Sequence, residues 1–245
     1  MIRDARVSAT PEQLFRAVAE DSLTLAQQAV AARARFSISL AGGSTPAALY
    51  ALWASDYRQR LPWDRTFVFF GDERYVPAND PASNYQMARE TLLDHVAIPP
   101  GQIFPMPTDY AKPEDAARGY EQTLRGFFGS QAPLLDLLLL GLGPEGHTAS
   151  LFPDSPVLQE RERWVAAPLV PAKPSQRLTL TLPLLNQARA AFFLVAGAAK
   201  REIVQAIRKE PDCGPDSVPS RYPAARIRPA SGHLVWYLDQ AASGS

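Results

Sequence analysis

The sequence predicts an α/β protein with a mainly parallel sheet covered by helices on both faces. Short segments rich in leucine, aromatic and β-branched residues recur along the chain. They are apolar throughout rather than alternating, which is typical of strands buried on both faces. The stretches between them have the spacing of amphipathic helices, as in repeated βαβ units. The predicted strands are Phe36–Leu40, Thr66–Phe70, Leu135–Leu140, Ala191–Val195 and Leu234–Tyr237.

Capping residues mark where the helices begin. Thr10, followed by Pro11 and Glu12, supplies an N-cap hydroxyl, a first-turn proline and an acid that favours the helix dipole. Thr45 followed by Pro46 repeats this pattern and predicts a second helix start. Further helices are predicted over Asn84–His95, Pro113–Phe128 and Ala199–Lys209.

The length is compatible with one large α/β domain or two small ones, and the lack of repeats or a long flexible linker in the sequence favours a single domain over residues 1–245. The chain is 46% hydrophobic and carries 25 basic and 25 acidic residues, so its formal net charge is zero and we expect no nucleic-acid partner. Residues 1–10 lack a signal-peptide core, and the longest apolar run, Leu137–Leu140, is too short to cross a bilayer. The single cysteine, Cys213, excludes an internal disulfide and fits a reducing compartment. We therefore expect a cytoplasmic protein without membrane contact.

Ligands of open parallel sheets bind beyond the carboxyl ends of the strands, where three loops of this chain carry unusual polar groups. Gly42, Gly43, Ser44 and Thr45 combine glycine amides, hydroxyls and a helix start, which predicts a phosphate cradle. The alternative is a tight strand-to-helix turn that Thr45 caps.

The second of these loops begins with the charged residues Asp72, Glu73 and Arg74, directly after an aromatic strand. The planar fork of Arg74 suits a phosphate. The alternative is a surface ion pair of Arg74 with either acid, which would have no function.

A third loop, residues 141–153, presents His147 among glycines. Its G-x-G-x-x-G spacing contains Pro144, and no acidic residue ends a following strand, so we expect no nicotinamide cofactor. Histidine is a suitable base near neutrality, and the amides of Gly143 and Gly146 are candidates to face an oxyanion. His95 and His233 have structural interpretations at the ends of a helix and a strand.

Other chemistries find little support in the sequence. Ser44 does not lie in the nucleophile elbow G-x-S-x-G, and Cys213 has no histidine near it in the chain. The three histidines are dispersed and show no metal-binding spacing, so we predict neither covalent catalysis nor a metal.

Several motifs in order make the chain resemble the 6-phosphogluconolactonases nearly from end to end. They are Leu40–Pro46, Gly71–Arg74 with Ser83–Tyr85, Gly141–Pro153, Arg177–Thr181 and Gly197–Lys200. The resemblance implies one Rossmann-like domain related to the amino-sugar phosphate deaminases and isomerases, without nucleotide or metal. It also implies hydrolysis of 6-phospho-D-glucono-1,5-lactone to 6-phosphogluconate in the oxidative pentose phosphate pathway.

The resemblance also assigns roles to matching residues. His147 looks like the general base that activates water, and Arg74 and Lys200 look like phosphate ligands with the Gly42–Thr45 loop. Arg177 is expected to line the same pocket. Asp72 and Glu145 would support the site, although many relatives have aspartate in place of Glu145.

Two other functions remain open at this point. A glucosamine-6-phosphate deaminase would share the fold and the loops, but its histidine is followed by a catalytic acid, whereas here no acid follows His147 until Asp154. A non-catalytic sugar-phosphate sensor would keep the cradle without turnover. In either case the expected partner is a small sugar phosphate, and the expected assembly is a monomer or a weak homodimer.

Overall fold

A computed structural model describes residues 2, 4–129, 135–210, 219–229 and 233–244. Its strands are β1 (Ala5–Ser8), β2 (Phe36–Leu40), β3 (Thr66–Phe70), β4 (Asp72–Arg74), β5 (Leu137–Leu140), β6 (Val165–Ala166), β7 (Arg177–Leu180), β8 (Ala190–Val195) and β9 (His233–Asp239). Its α-helices are α1 (Pro11–Arg33), α2 (Ser44–Ser55), α3 (Asn84–Thr91), α4 (Pro113–Phe128), α5 (Leu182–Leu185), α6 (Arg201–Lys209) and α7 (Gln240–Ser243).

The central sheet has six strands in the order β1-β9-β8-β5-β2-β3, and every neighbouring pair is parallel. This confirms the mainly parallel sheet. All five predicted strands form, with shifts of one or two residues at some ends. β1 was not predicted, because this short edge strand is largely exposed and has no apolar run.

Helices cover both faces of this sheet. The connections through α1 and α2 run toward β3, whereas those through α4 and α6 run back toward β1. Right-handed crossovers therefore place the two pairs of helices on opposite faces. Every residue of β2, β5 and β8 is buried, as their continuous apolar sequences predict. None of the helices in the described part of the chain has the length and apolar character needed to cross a membrane.

The helix starts follow the predicted caps only in part. The Thr10 side chain accepts a hydrogen bond from the Gln13 amide, which confirms the cap of α1. The predicted Thr45 cap is wrong, because α2 begins at Ser44 and Gly43 is its N-cap, without a side-chain hydrogen bond. Gly43 has a φ of 103°, which a glycine adopts without strain.

Two predicted helices are shorter than expected. The helix predicted over Asn84–His95 ends at Thr91, and a separate 3₁₀ turn covers Leu93–His95. The helix predicted from Ala199 begins at Arg201, after a 3₁₀ turn over Ala198–Lys200.

A second, antiparallel sheet has the order β4-β7-β6. The sequence did not predict it, because its strands have only two to four residues and two of them, β4 and β7, carry charged side chains. Only Gly71 separates β4 from β3, and the Gly71 amide donates to the Leu40 carbonyl at 2.9 Å. The small sheet thus starts at the carboxyl end of the large one.

Candidate active site

A cleft of about 350 Å³ opens beyond the carboxyl ends of β2 and β5. These neighbouring strands form a topological switch point, since the chain leaves β2 toward β3 and leaves β5 toward β8. The loops that follow them diverge and leave a crevice, where open α/β sheets bind ligands. Eight of the predicted site residues line it: Gly42, Gly43, Asp72, Arg74, Gly143, His147, Arg177 and Lys200.

The other four predicted site residues lie beside the cleft rather than on its wall. Ser44 and Thr45 occupy the first turn of α2, and Ser44 is exposed. Glu145 reaches the site through His147, and Gly146 is buried against Tyr222. The hydroxyls of the predicted cradle are therefore not among the groups that line the cleft in this structure.

The loop that carries His147 is closed by its own backbone. The Gly143 amide donates to the His147 carbonyl at 2.9 Å, and the Gly146 amide donates to the Gly143 carbonyl at 3.0 Å. Both amides are thus already used, so the expectation that Gly143 and Gly146 face an oxyanion is corrected to a role in shaping the loop. Gly146, with a φ of 83°, makes the turn.

The His147 side chain is oriented by a carboxylate. Its Nδ1 lies 3.0 Å from Oε2 of Glu145. In a neutral ring Nδ1–H donates to this carboxylate, which leaves Nε2 as the acceptor. Burial lowers the pKa of His147 below its ordinary value, while the Glu145 charge opposes this shift and the Lys200 charge adds to it. The ring is 25% exposed, so the arrangement provides a neutral base that a ligand can reach.

Lys200 stands in the turn before α6. Its Nζ donates to the Leu142 carbonyl at 2.6 Å, which ties the ammonium group to the loop after β5. Burial lowers the pKa of Lys200. Lys200 also lines the cleft, and its ammonium group is close enough to lower the pKa of His147.

Two arginines lie side by side on the small sheet. Arg74 and Arg177 are directly opposite each other in the antiparallel pairing of β4 with β7, so their side chains share a face. Arg177 is only 5% exposed, and its Nη1 has no hydrogen-bond partner among the described residues. Burial, and then the charge of Arg74, lower the pKa of Arg177. Neighbouring cations of this kind favour an anionic ligand.

Asp72 is held by two residues to which sequence reasoning gave no role. Ser150 donates to Oδ2 of Asp72 at 2.6 Å, and the Asn84 side chain donates to the Asp72 carbonyl at 2.8 Å. Oδ1 of Asn84 is buried, has no hydrogen-bond partner within the described ranges and lies against Gly42, where a Cβ atom would come within 1.9 Å of it. Both residues belong to the motifs noted above, but nothing in their spacing indicates contact with Asp72.

Glu73 points away from the cleft and organises the start of α3. Its carboxylate accepts from the amides of Arg74, Asn84 and Tyr85 and from the Ser83 hydroxyl, at 2.7–3.0 Å. Burial raises the pKa of Glu73, although these hydrogen bonds oppose the shift. No salt bridge joins the Arg74 guanidinium to Asp72 or Glu73 within the described residues, so the surface ion-pair interpretation does not apply.

The other two histidines, His95 and His233, do not line the cleft. In the part of the chain that the structure describes, no cluster of three or more histidine, cysteine, aspartate or glutamate residues is arranged to hold a metal. Cys213 lies outside the described residues. His95 ends a 3₁₀ turn and His233 begins β9, as expected.

Comparison with known proteins identifies the family. The family model for glucosamine-6-phosphate isomerases/6-phosphogluconolactonase matches residues 9–236. A 6-phosphogluconolactonase of Synechocystis is 47% identical over 218 residues, covering 88% of this chain and 86% of that protein. Another, of Nostoc, is 43% identical, covering 90% and 88%. The solved structure of 6-phosphogluconolactonase from Trypanosoma brucei is 30% identical, with a TM-score of 0.83 and 98% and 97% coverage. The chain belongs to the glucosamine-6-phosphate isomerase/6-phosphogluconolactonase family.

Proposed function

We propose that this chain hydrolyses 6-phospho-D-glucono-1,5-lactone to 6-phosphogluconate, with His147 as the general base. The observation that carries the proposal is one cleft that holds both a neutral, carboxylate-oriented histidine and a buried guanidinium whose Nη1 has no hydrogen-bond partner in the described part of the chain. The first suits proton transfer and the second suits a phosphate. The lactonase relatives, similar over most of their length, support this choice of substrate.

The cations of the cleft hold the phosphate group. Arg74 and Arg177 present their guanidinium groups from the small sheet, and Lys200 presents its ammonium group from the turn before α6. Each charge-assisted hydrogen bond contributes about 1.5–3 kcal/mol. With the phosphate fixed, the lactone carbonyl is positioned relative to His147, which supplies the orientation that a bimolecular reaction with water lacks.

Hydrolysis then needs only proton transfers at Nε2 of His147. Nε2 takes a proton from water as the water oxygen bonds to the lactone carbonyl carbon, and the carbonyl oxygen becomes an oxyanion. The tetrahedral intermediate collapses, the bond from the carbonyl carbon to the ring oxygen breaks, and the imidazolium returns its proton to the departing oxygen. Glu145 stabilises the imidazolium through Nδ1. The product is the open-chain acid, without a covalent enzyme intermediate.

A deaminase is the less favoured function. The family description includes glucosamine-6-phosphate isomerases, but the first acid after His147 is Asp154. Asp154 does not line the cleft and instead faces a separate depression with Glu202 and Tyr222. A coupled assay for ammonia release from glucosamine 6-phosphate separates the two activities. Calorimetry that detects binding without lactone hydrolysis would favour a sensor.

The direct test follows hydrolysis of freshly generated 6-phosphogluconolactone above its spontaneous rate. We expect His147→Ala to lower kcat by about 10²–10⁴ while KM changes little, because the base acts in the transition state. His95→Ala is the matched control, since His95 is exposed and outside the cleft. A His147→Ala rate within twofold of the parent rejects this base.

A further inference from the structure

The His147 ring is packed between fixed neighbours within its own loop. The Phe152 ring is stacked on it, with ring centroids 4.0 Å apart and planes inclined by 18°. The ring also presses against the Gly143 backbone, where a Cβ atom would come within 2.0 Å of Nδ1 and 2.1 Å of Cε1. Any side chain at position 143 would displace the imidazole.

A short turn brings Phe152 back onto the histidine. The Leu151 amide donates to the Thr148 carbonyl at 3.0 Å, and Ala149 adopts a φ of 48°, unusual for a residue other than glycine. Phe152 itself is 5% exposed. Backbone strain is often found at functional sites. Because the strained turn places the buried Phe152 ring against the candidate base, we infer that this contact has a functional role.

We propose that Phe152 is a positioning residue, which fixes the plane of the His147 imidazole against Gly143 and keeps water from one face of the ring. We call the packing of the imidazole between Phe152 and Gly143 the clamp. Since Nδ1 of His147 is hydrogen-bonded to Glu145, the clamp leaves Nε2 as the nitrogen that the ring presents to substrate. Phe152 also lines the cleft, beside the ring that it supports.

The His147 pKa, which burial and three nearby charges influence, provides a measure of the clamp. Glu145 from the same loop and Asp72 from β4 raise the pKa of His147, and Lys200 from the turn before α6 lowers it. Burial is the largest influence and lowers the pKa. Removing the Phe152 ring admits water while leaving all three charges in place. The His147 pKa is therefore expected to rise toward its ordinary value.

The experiment compares Phe152→Leu, Phe152→Ala and Phe152→Tyr with the parent. Proton NMR titration of the imidazole C2–H signals gives the His147 pKa, and the chain has only three histidines to assign. In the leucine and alanine variants we expect this pKa to rise by roughly half a unit to one unit. The expected kinetic result, which rests on the proposed function, is a kcat about tenfold lower with little change in KM. Tyrosine keeps the ring and is expected to restore both values.

Phe127→Leu is the matched control. Phe127 of α4 belongs to an aromatic cluster, with its ring centroid 5.0 Å from that of Phe67, and it does not line the cleft, so its loss removes a ring contact outside the site. It is expected to lower the thermal midpoint without moving the His147 pKa.

The outcomes separate this inference from the lactonase proposal. A His147 pKa that stays unchanged in folded Phe152→Leu and Phe152→Ala overturns the clamp, whatever happens to kcat, because a merely structural role leaves the titration untouched. If the parent lacks lactonase activity, the proposed function fails while the titration still decides the clamp. The clamp is supported if the His147 pKa rises in Phe152→Leu and Phe152→Ala but keeps the value of the parent in Phe152→Tyr.

Discussion

Two side chains of the cleft occupy surroundings that do not favour their charged forms. Burial lowers the pKa of His147. Arg177 is buried beside a second guanidinium, and its own Nη1 has no hydrogen-bond partner among the residues that the structure describes. Unpaired buried charge lowers stability, and the surrounding fold must offset that cost. Such residues are more easily explained by ligand binding and proton transfer than by folding.

Arg177→Met tests two effects of the buried guanidinium, which are its contribution to phosphate binding and its effect on the stability of the unliganded protein. We expect KM for the phosphorylated lactone to rise about 10- to 100-fold, since one or two charge-assisted hydrogen bonds are lost. Arg74→Ala and Lys200→Ala are expected to raise this KM too, and unphosphorylated gluconolactone should respond little. The unliganded Arg177→Met protein should melt higher by about 2–4 °C, because the substitution removes a buried charge whose Nη1 has no hydrogen-bond partner in the described part of the chain.

Arg89→Gln is the control for Arg177→Met, since Arg89 is a half-exposed residue of α3 that pairs with Asp94 outside the cleft. Equal losses on the phosphorylated and unphosphorylated lactones would contradict phosphate binding by the arginine pair.

The pH dependence of activity follows from the lowered pKa of His147. The base must be unprotonated, so kcat/KM is expected to fall as pH drops through a pKa below about 6.5, the ordinary value.

Glu145 raises the His147 pKa, so Glu145→Gln should move the acidic limb of the pH profile to still lower pH. We also expect kcat to fall by about tenfold, because the imidazolium loses its anionic partner. Steady-state rates from pH 5 to 8 test these roles. An acidic limb that moves to higher pH in Glu145→Gln would contradict the role of Glu145, and a flat profile of the parent would contradict the role of His147 as the base.

The elements of the large sheet could be predicted because their sequences encode them locally. β2 and β8 are continuous apolar runs, and Thr10 with Pro11 marks the start of α1. The small sheet could not be predicted, because β4 and β7 are short, charged and stabilised by pairing with each other. That pairing alone places Arg177 opposite Arg74. The contacts of Asn84 and Ser150 with Asp72 also join distant parts of the chain, which spacing does not reveal.

Glu73 links two of these elements, β4 and α3, and its replacement tests how firmly they are joined. Glu73→Gln keeps the size of the side chain but turns an amide NH₂ toward groups that themselves donate hydrogen bonds. Because Glu73 is only 2% exposed, we expect Glu73→Gln to lower the free energy of unfolding by about 2 kcal/mol, and the thermal midpoint by about 4–8 °C. Glu90→Gln, on the exposed side of α3, is the matched control and should change the midpoint by less than about 1 °C. An equal effect of the two substitutions would show that Glu73 does not hold β4 to α3.

The position of the cleft reflects the topology of the whole molecule. The large sheet contributes the loops after β2 and β5, and the small sheet contributes Arg74 and Arg177. The two arginines therefore come from the small sheet, whereas His147 and Lys200 lie in segments that follow strands of the large sheet. Because the formal net charge is zero, attraction of an anion depends on the local cluster of cations rather than on the overall charge.

A ligand that fills this cleft should hold the two sheets together. We expect 6-phosphogluconate at a hundredfold its Kd to stabilise the protein by about 2.7 kcal/mol, and to raise the thermal midpoint by about 5–10 °C. Gluconate at the same concentration lacks the phosphate and should produce little shift. Arg177→Met should lose most of the shift caused by 6-phosphogluconate, whereas Arg89→Gln should keep it. Thermal unfolding with each ligand, followed by circular dichroism, measures these differences. Equal shifts with gluconate and 6-phosphogluconate would mean that the arginine pair does not bind the phosphate, since only the phosphate distinguishes the two ligands.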